Sequence, residues 1–410
     1  MNNKKTINEN LSFKKYGISN MKFSKLTDRI SDLGSDKWLL HLEARKLKKN
    51  NPNIIELTIG EPDQPPPQEL IEKCCDSMRS GRTKYSNGRG EEILLDALVQ
   101  KYQKRTPLKV SRNNFLCLPG TQTALFATVM CLTEEDDEIL VGDPYYATYE
   151  GIIKSSGATI IPIPLHEKYD FSLQEKDFRM KITSKSKALL LNYPHNPTGG
   201  ILRKKDLSEL ANIVKKHNLW IISDEVYEEL IFKEDFVSPL EIPTLAERTI
   251  VVSSISKSHA SPGFRSGWIF ASEEVINKML PLAETMLFGN QPFIADMTAY
   301  AISNKSQTAL KMRTDYQRRA KLICKKLANT KNIRPIMPKS GMFILIKLEL
   351  KNFNDEKFAW NLLHSEGVAV MPGSSFGLNG KDFIRLSLTV PDKELERACE
   401  RIDEFVKKID

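Results

Sequence analysis

From residue 115 onward, apolar residues come in short unbroken runs separated by amphipathic stretches. The runs at 115–118, 138–141, 159–162, 188–192, 219–223, 249–254 and 266–271 are continuous rather than alternating. Continuous runs of this length mark strands buried on both faces of a sheet. Between several of them, residues 122–131, 204–216 and 273–280 place apolar positions at helical spacing. The pattern predicts an α/β fold, with a mostly parallel seven-stranded sheet lying between helices.

The flanks read differently. Residues 22–49 mix apolar positions with many charges and predict a mainly helical segment, broken by Asn50, Asn51, Pro52 and Asn53. A short strand at 54–57 and helices at 69–79 and 91–104 follow. Pro65, Pro66 and Pro67 hold an extended passage between them, because proline continues neither a helix interior nor a strand ladder. After the seven runs comes a long helical region over 294–328, with a break near Asn304. Short strands at 343–348, 368–370 and 383–388 and a terminal helix at 392–407 then form a smaller α+β unit. The expected division is a polar arm over 1–20, a small domain from 21–55 and 301–410, and a large ligand-binding domain over 56–300.

Composition narrows the function classes. The chain has 410 residues, 60 of them basic and 52 acidic, for a net charge of +8. The excess is modest and dispersed, and the Arg-Lys-Leu-Lys-Lys tract at 45–49 reads as a solvated helix face. Basic and aromatic residues do not interleave as a nucleic-acid groove requires, so no nucleic-acid partner is expected. No apolar run approaches membrane-spanning length, and the first residues lack a signal-peptide core. Cys74, Cys75, Cys117, Cys131, Cys324 and Cys399 have no metal-site spacing. The expectation is a cytoplasmic protein with no metal and no membrane partner.

The chemistry is expected where the runs end, because open α/β sheets bind ligands beyond the carboxyl ends of their strands. After 115–118 comes Pro119-Gly120-Thr121-Gln122-Thr123, a helix start whose free amides suit a phosphate. After 138–141 come Asp143 and the aromatics Tyr145, Tyr146 and Tyr149, able to stack on a planar group. After 188–192 the loop from Tyr193 to Gly200 presents Asn196 between prolines. After 219–223 comes Asp224, a carboxylate that needs a partner if buried. After 249–254 come Ser254, Ser256 and Lys257, with Arg265 eight residues on. Each alone also reads as an ordinary turn, helix cap, core aromatic or loop lysine. Together they supply an amine, an acid, a stacking ring and a phosphate cradle, which are the parts of a pyridoxal phosphate site.

These motifs make the chain resemble the fold-type-one pyridoxal-phosphate aminotransferases, class I and II. The resemblance rests on Gly60-Glu61-Pro62-Asp63, Tyr85, Asn192-x-x-x-Asn196-Pro197-Thr198-Gly199, Asp224-Glu225-x-Tyr227, Ser254-x-Ser256-Lys257 and Arg265-x-Gly267. It implies pyridoxal 5′-phosphate as cofactor, bound in the large domain, and a catalytic set of Lys257, Asp224 and Tyr227. Lys257 would bond the cofactor aldehyde and shuttle the proton between the substrate α-carbon and the cofactor. Asp224 would pair with the protonated ring nitrogen, which should lower its pKa. Asn196 and Tyr227 would hydrogen-bond the ring oxygen, and Tyr146 would stack on the ring. Thr121, Gln122, Ser254, Ser256 and Arg265 would hold the phosphate. Tyr85 would reach the phosphate of the partner subunit, implying a homodimer with shared sites. Arg385 would clamp the substrate carboxylate, with Gly60 and Asn196 beside it. One departure is Ser261-Pro262-Gly263-Phe264-Arg265, where the family has a Thr-Gly-Trp-Arg order.

Local motifs are closest to the arginine:pyruvate transaminases. They are Pro194-His195-Asn196-Pro197, Leu-Trp-Ile-Ile-Ser-Asp at 219–224, Ser256-Lys257-Ser258-His259-Ala260 and Met286-Leu287-Phe288-Gly289. This implies a basic amino donor and a 2-oxo acid such as pyruvate. Asp143 or a partner carboxylate would then be candidates to receive a guanidinium, while His195 and His259 read as packing residues beside the site. Aspartate, aromatic or alanine specificity is the alternative within the family. A lyase or cyclising synthase on the same cofactor, and a non-catalytic regulator of this fold, are the alternatives outside it.

Overall fold

A computed structural model describes residues 22–31, 33, 36–351 and 353–409. The expected polar arm over 1–20 lies outside the described residues. The centre is a seven-stranded sheet in the order Phe115–Leu118, Gly267–Phe270, Thr249–Ser254, Trp220–Asp224, Ser186–Asn192, Glu138–Asp143 and Thr159–Pro164. All its pairings are parallel except the two made by Gly267–Phe270. Phe115–Leu118, Thr249–Ser254 and Gly267–Phe270 are buried at every position, as unbroken apolar runs predict. Pro162 and Pro164 fall on the edge strand, where a missing amide proton costs no ladder bond.

Register brings the strand ends level. Asn192 pairs with Asp224, and Asp224 with Val252. On the other side Gly267 pairs with both Leu118 and Ser254. The loops that follow therefore open on one sheet edge. Helix Thr121–Leu132 packs against both Glu273–Met286 and Tyr149–Ser155, and Glu175–Lys181 packs against Lys204–Lys216 elsewhere.

A second sheet is antiparallel, in the order Met371–Pro372, Phe383–Ser387, Phe343–Leu348 and Ile333–Ile336. One apolar core joins it to Leu40, Ala44 and Ile55 near the N-terminus and to Leu395, Cys399 and Ile402 of the terminal helix Asp392–Ile409. The same core includes Val226, Tyr227 and Leu230, which follow the strand Trp220–Asp224 of the large sheet. Ile55–Glu56 pairs in parallel with Val368–Ala369. The expected helical break near Asn304 separates Pro292–Ser303 from Gln307–Lys326. The segments Ile333–Ile336, Tyr149–Ser155, Glu175–Lys181 and Asp355–Glu366 were not expected from the apolar pattern. Among the described residues no helix is long and apolar enough to cross a membrane, and no cluster of three or more His, Cys, Asp or Glu could hold a metal.

Glu225 is fully buried behind the sheet edge. It accepts from Ser238 Oγ at 2.5 Å, Arg105 Nη2 at 2.8 Å and Ser223 Oγ at 3.1 Å. Arg105 also binds Glu228 at 2.5 Å, and Lys101 binds the other oxygen of Glu228. Removing one partner of a buried pair leaves an uncompensated charge. Arg105→Met should therefore destabilise the fold by about 3–5 kcal/mol in chemical denaturation, with Glu225→Gln in the same chain recovering part of the loss.

Candidate active site

A cavity of about 510 Å³ opens at the level strand ends. Its wall contains Gly60, Thr121, Gln122, Tyr146, Asn196, Asp224, Tyr227, Ser254, Ser256, Lys257, Arg265 and Arg385. The structure thus brings together the residues expected to hold cofactor and substrate carboxylate except Tyr85. That side chain is 88% exposed and lies edge-on to Phe288, itself 62% exposed, at 5.8 Å between ring centroids.

The floor is set by Asp224, the last residue of its strand. Tyr149 Oη donates to its Oδ2 at 2.7 Å, and the Val226 amide approaches Oδ1 at 3.3 Å. Asn192, level with it on the next strand, donates Nδ2 to the Asp224 carbonyl at 3.3 Å and accepts the Asn196 amide at 3.0 Å. One side chain therefore ties the Asn196 loop to the acid. The expectation of a lowered Asp224 pKa is not met in the protein alone. Burial raises it to about 6, against the opposing hydrogen bonds from Tyr149 and Val226. The lowering was expected from a cationic partner, and the protein chain supplies none in contact with the carboxylate among the described residues.

Lys257 follows the Thr249–Ser254 strand, and its Nζ donates to the Gly60 carbonyl at 2.5 Å. Burial pulls its pKa down to about 8. The cations Arg265 and Arg385 push the same way, while Glu61 and Asp224 oppose. A pKa near 8 leaves about a tenth of the amine unprotonated at pH 7, far more than for an ordinary lysine, and a nucleophile or base requires that form.

A cradle lies beside it. Gly120, with φ +85°, precedes the helix Thr121–Leu132, and a Cβ there would overlap the Arg265 guanidinium. Arg265 donates to the Pro119 and Pro262 carbonyls at 3.1 and 2.8 Å. No carboxylate pairs with it among the described residues. Thr121 Oγ1 is buried without a hydrogen-bond partner at the helix N-terminus. An unpaired hydroxyl, free amides and an unpaired cation in one place fit a phosphate. With Lys257 and Asp224 beside them, these residues fit a phosphorylated heteroaromatic aldehyde with a basic ring nitrogen.

Arg385 lines the same cavity. It is 1% exposed, with its guanidinium 3.9 Å from the Phe343 ring centroid and 4.3 Å from that of Phe376. It donates to Asn196 Oδ1 at 3.0 Å and to the Thr58 carbonyl at 2.5 Å, and its Nε has no partner. No carboxylate pairs with it among the described residues.

Asp143 is a correction. It is buried and accepts the Leu378 amide at 3.1 Å and the Asn379 amide at 3.2 Å, away from the cavity wall, so it is not placed to receive a substrate guanidinium. His195 and His259 are packing residues, as expected. His195 bonds Thr198 Oγ1 and is held near 3 by burial; His259 bonds Ser258 and the Ala301 carbonyl and is held near 4, again mainly by burial. Among the wall residues not anticipated are Trp38, His41 and Leu42. Trp38 precedes the helix Leu39–Asn50, and His41 and Leu42 lie in its first turn, so none is tied to a strand end.

The comparisons agree with this geometry. The family model "Aminotransferase class I and II" matches residues 52–402. An arginine–pyruvate transaminase from Pseudomonas aeruginosa is 35% identical over 382 residues, covering 93% of this chain and 97% of that one. An aspartate aminotransferase from Pyrococcus abyssi is 30% identical over 360 residues, covering 87% and 92%. The crystal structure of an aromatic aminotransferase from Pyrococcus horikoshii superposes with a TM-score of 0.84 at 30% identity, covering 89% and 99%.

The depressed Lys257 pKa has a direct consequence. In cofactor-free protein, borohydride trapping of an aromatic aldehyde at the Lys257 peptide should rise with pH through a midpoint near 8 by mass spectrometry. A midpoint at the ordinary lysine value of about 10.4 would contradict the burial argument.

Proposed function

We propose, from the premise that this chain belongs to the class I and II aminotransferases, that it moves an amino group from a basic L-amino acid, arginine first, to pyruvate or a similar 2-oxo acid. The family uses pyridoxal 5′-phosphate, and the cradle described above fits it. Arg385 is the observation that carries the amino-acid reading. A buried guanidinium whose Nε–H has no partner, and with no carboxylate paired to it among the described residues, asks for a carboxylate from the substrate. The arginine reading is supported by the 35% identity to the Pseudomonas transaminase and by the local motifs. The aspartate and aromatic relatives, at 30%, favour the second reading.

In this reading Thr121, Gln122, Ser254, Ser256 and Arg265 hold the phosphate, and Tyr146 covers the ring. Asn196 and Tyr227, neighbours on the wall, bind the ring oxygen. When bound, the cofactor supplies an electron-poor ring that accepts the electron pair released at the substrate α-carbon. Asp224 keeps a proton on the ring nitrogen, and the cation in turn favours its anionic form. Arg385 fixes the α-carboxylate, with Asn196 and the Gly60 backbone alongside, so that the α-hydrogen faces Lys257. Lys257 Nζ then takes that proton as a base and returns one on the other side of the transfer. Its amine, pulled to about 8, is matched to this role. The exposed pair Tyr85 and Phe288 supports a homodimer in which Tyr85 reaches the phosphate of the other subunit.

A donor panel against pyruvate and 2-oxoglutarate tests the reading. Arginine with pyruvate should give turnover, and equal or better turnover with aspartate or aromatic donors would overturn the arginine assignment. Lys257→Ala should abolish multiple turnover. Arg385→Lys should raise KM for every amino acid by about tenfold or more, because a point charge replaces a planar fork.

A further inference from the structure

His41 stands on the cavity wall beside Trp38, although the site motifs do not include it. Its Nδ1 lies 2.8 Å from Thr58 Oγ1 and 3.1 Å from Glu56 Oε1. A carboxylate only accepts, so this network puts the proton on Nδ1 and leaves the lone pair on Nε2. Nε2 has no protein partner among the described residues. Thr58 also joins this histidine to the carboxylate clamp, since its carbonyl receives Arg385 Nη2 at 2.5 Å. The imidazole and the clamp are thus held by one residue, on the same cavity.

The charge on the wall makes this arrangement informative. Lys257, Arg265 and Arg385 are all there, and Asp224 is the one carboxylate lining the cavity among the described residues. Asp224 faces the ring nitrogen in the reading above. A substrate with a cationic side chain needs an acceptor elsewhere. Glu56 supplies negative charge just behind His41, shared on its other side with Arg45 at 3.5 Å. The indole of Trp38, edge-on to His41 with centroids 6.4 Å apart, adds an aromatic surface on which a guanidinium can lie. A carboxylate side chain would instead meet the Nε2 lone pair.

We propose that His41, oriented by Glu56, is a specificity-determining residue that accepts a hydrogen bond through Nε2 from the cationic side chain of a basic amino donor. This inference rests on the basic-donor reading. The test uses the holoenzyme and two unreactive ligands in calorimetry, the desamino analogue of arginine and pentanoate, which differ at the guanidine. The wild-type protein should bind the guanidine-bearing acid more tightly. His41→Leu should reduce that preference about tenfold or more, the scale of a lost hydrogen bond to a charged group. Glu56→Gln should reduce it less, because the amide oxygen can still accept from Nδ1, while the amide NH2 donating there lets the tautomer reverse in only part of the molecules. Steady-state kinetics with arginine should place the loss in KM rather than kcat. If the wild type prefers the guanidine and both variants keep that preference, the role of His41 is overturned while the donor reading stands. If the wild type shows no preference and does not turn over arginine, the donor reading itself falls.

Discussion

Asp224 is the constraint from which the site is built. A carboxylate at the end of a buried strand is costly, because the protein interior solvates charge poorly. The chain answers with a tyrosine hydroxyl, a backbone amide and a neighbouring asparagine that fixes the peptide. These hold the group in place without fully offsetting the desolvation, and its pKa stays near 6. The remaining deficit is a binding determinant. A cationic ring nitrogen arriving at that oxygen relieves it, so the energy spent in folding an acid into the sheet edge returns as selectivity for a protonated heterocycle. Glu225, one residue on, needs three donors of its own, and those bonds anchor the turn from behind.

The other buried charges follow from the same logic with the opposite sign. Lys257 and Arg385 share a cavity wall with Arg265, and each raises the cost of protonating the lysine. The amine yields first because guanidinium groups hold their protons far more strongly. Arg265 and Arg385 line one pocket, and neither has a carboxylate partner among the described residues. Two such cations suit anionic groups brought by ligands, a phosphate and a carboxylate. Lys257 lies in the pocket with them, its amine held on the Gly60 carbonyl.

Much of this was legible because the sheet is buried on both faces. In such a sheet any polar residue ending an apolar run stands out, and Asn192, Asp224 and Ser254 are all residues of that kind. Strands Phe115–Leu118, Thr249–Ser254 and Phe343–Leu348 fall where the runs predict them. The strand Ile333–Ile336 was not legible, because Arg334 and Pro335 interrupt its run at a sheet edge. Trp38 and His41 were not legible as site residues either. His41 reaches the cavity on the helix Leu39–Asn50, which packs on a core drawn largely from residues beyond 310, and Trp38 packs against Ala147, Met371 and Phe376. The lowered Asp224 pKa expected from the sequence belongs to the acid paired with a cationic ligand, while in the protein alone burial raises it.

Asp143 and Asp224 show the limit most sharply. Both end strands of the same sheet, both are buried, and burial raises each to about 6. Nothing local to either distinguishes a ligand-facing acid from a structural one. The difference is supplied by the loop near residue 378, more than two hundred positions away, whose amides reach Asp143. Gly377, at φ +115°, permits that approach, since a Cβ there would overlap the Asp143 carboxylate. The Tyr145 amide binds the Phe376 carbonyl in the same contact. Asp143 therefore pins the loop that carries Phe376, and the Phe376 ring packs 4.3 Å from the Arg385 guanidinium. One aspartate lines the cavity, and the other holds in place an aromatic wall around Arg385.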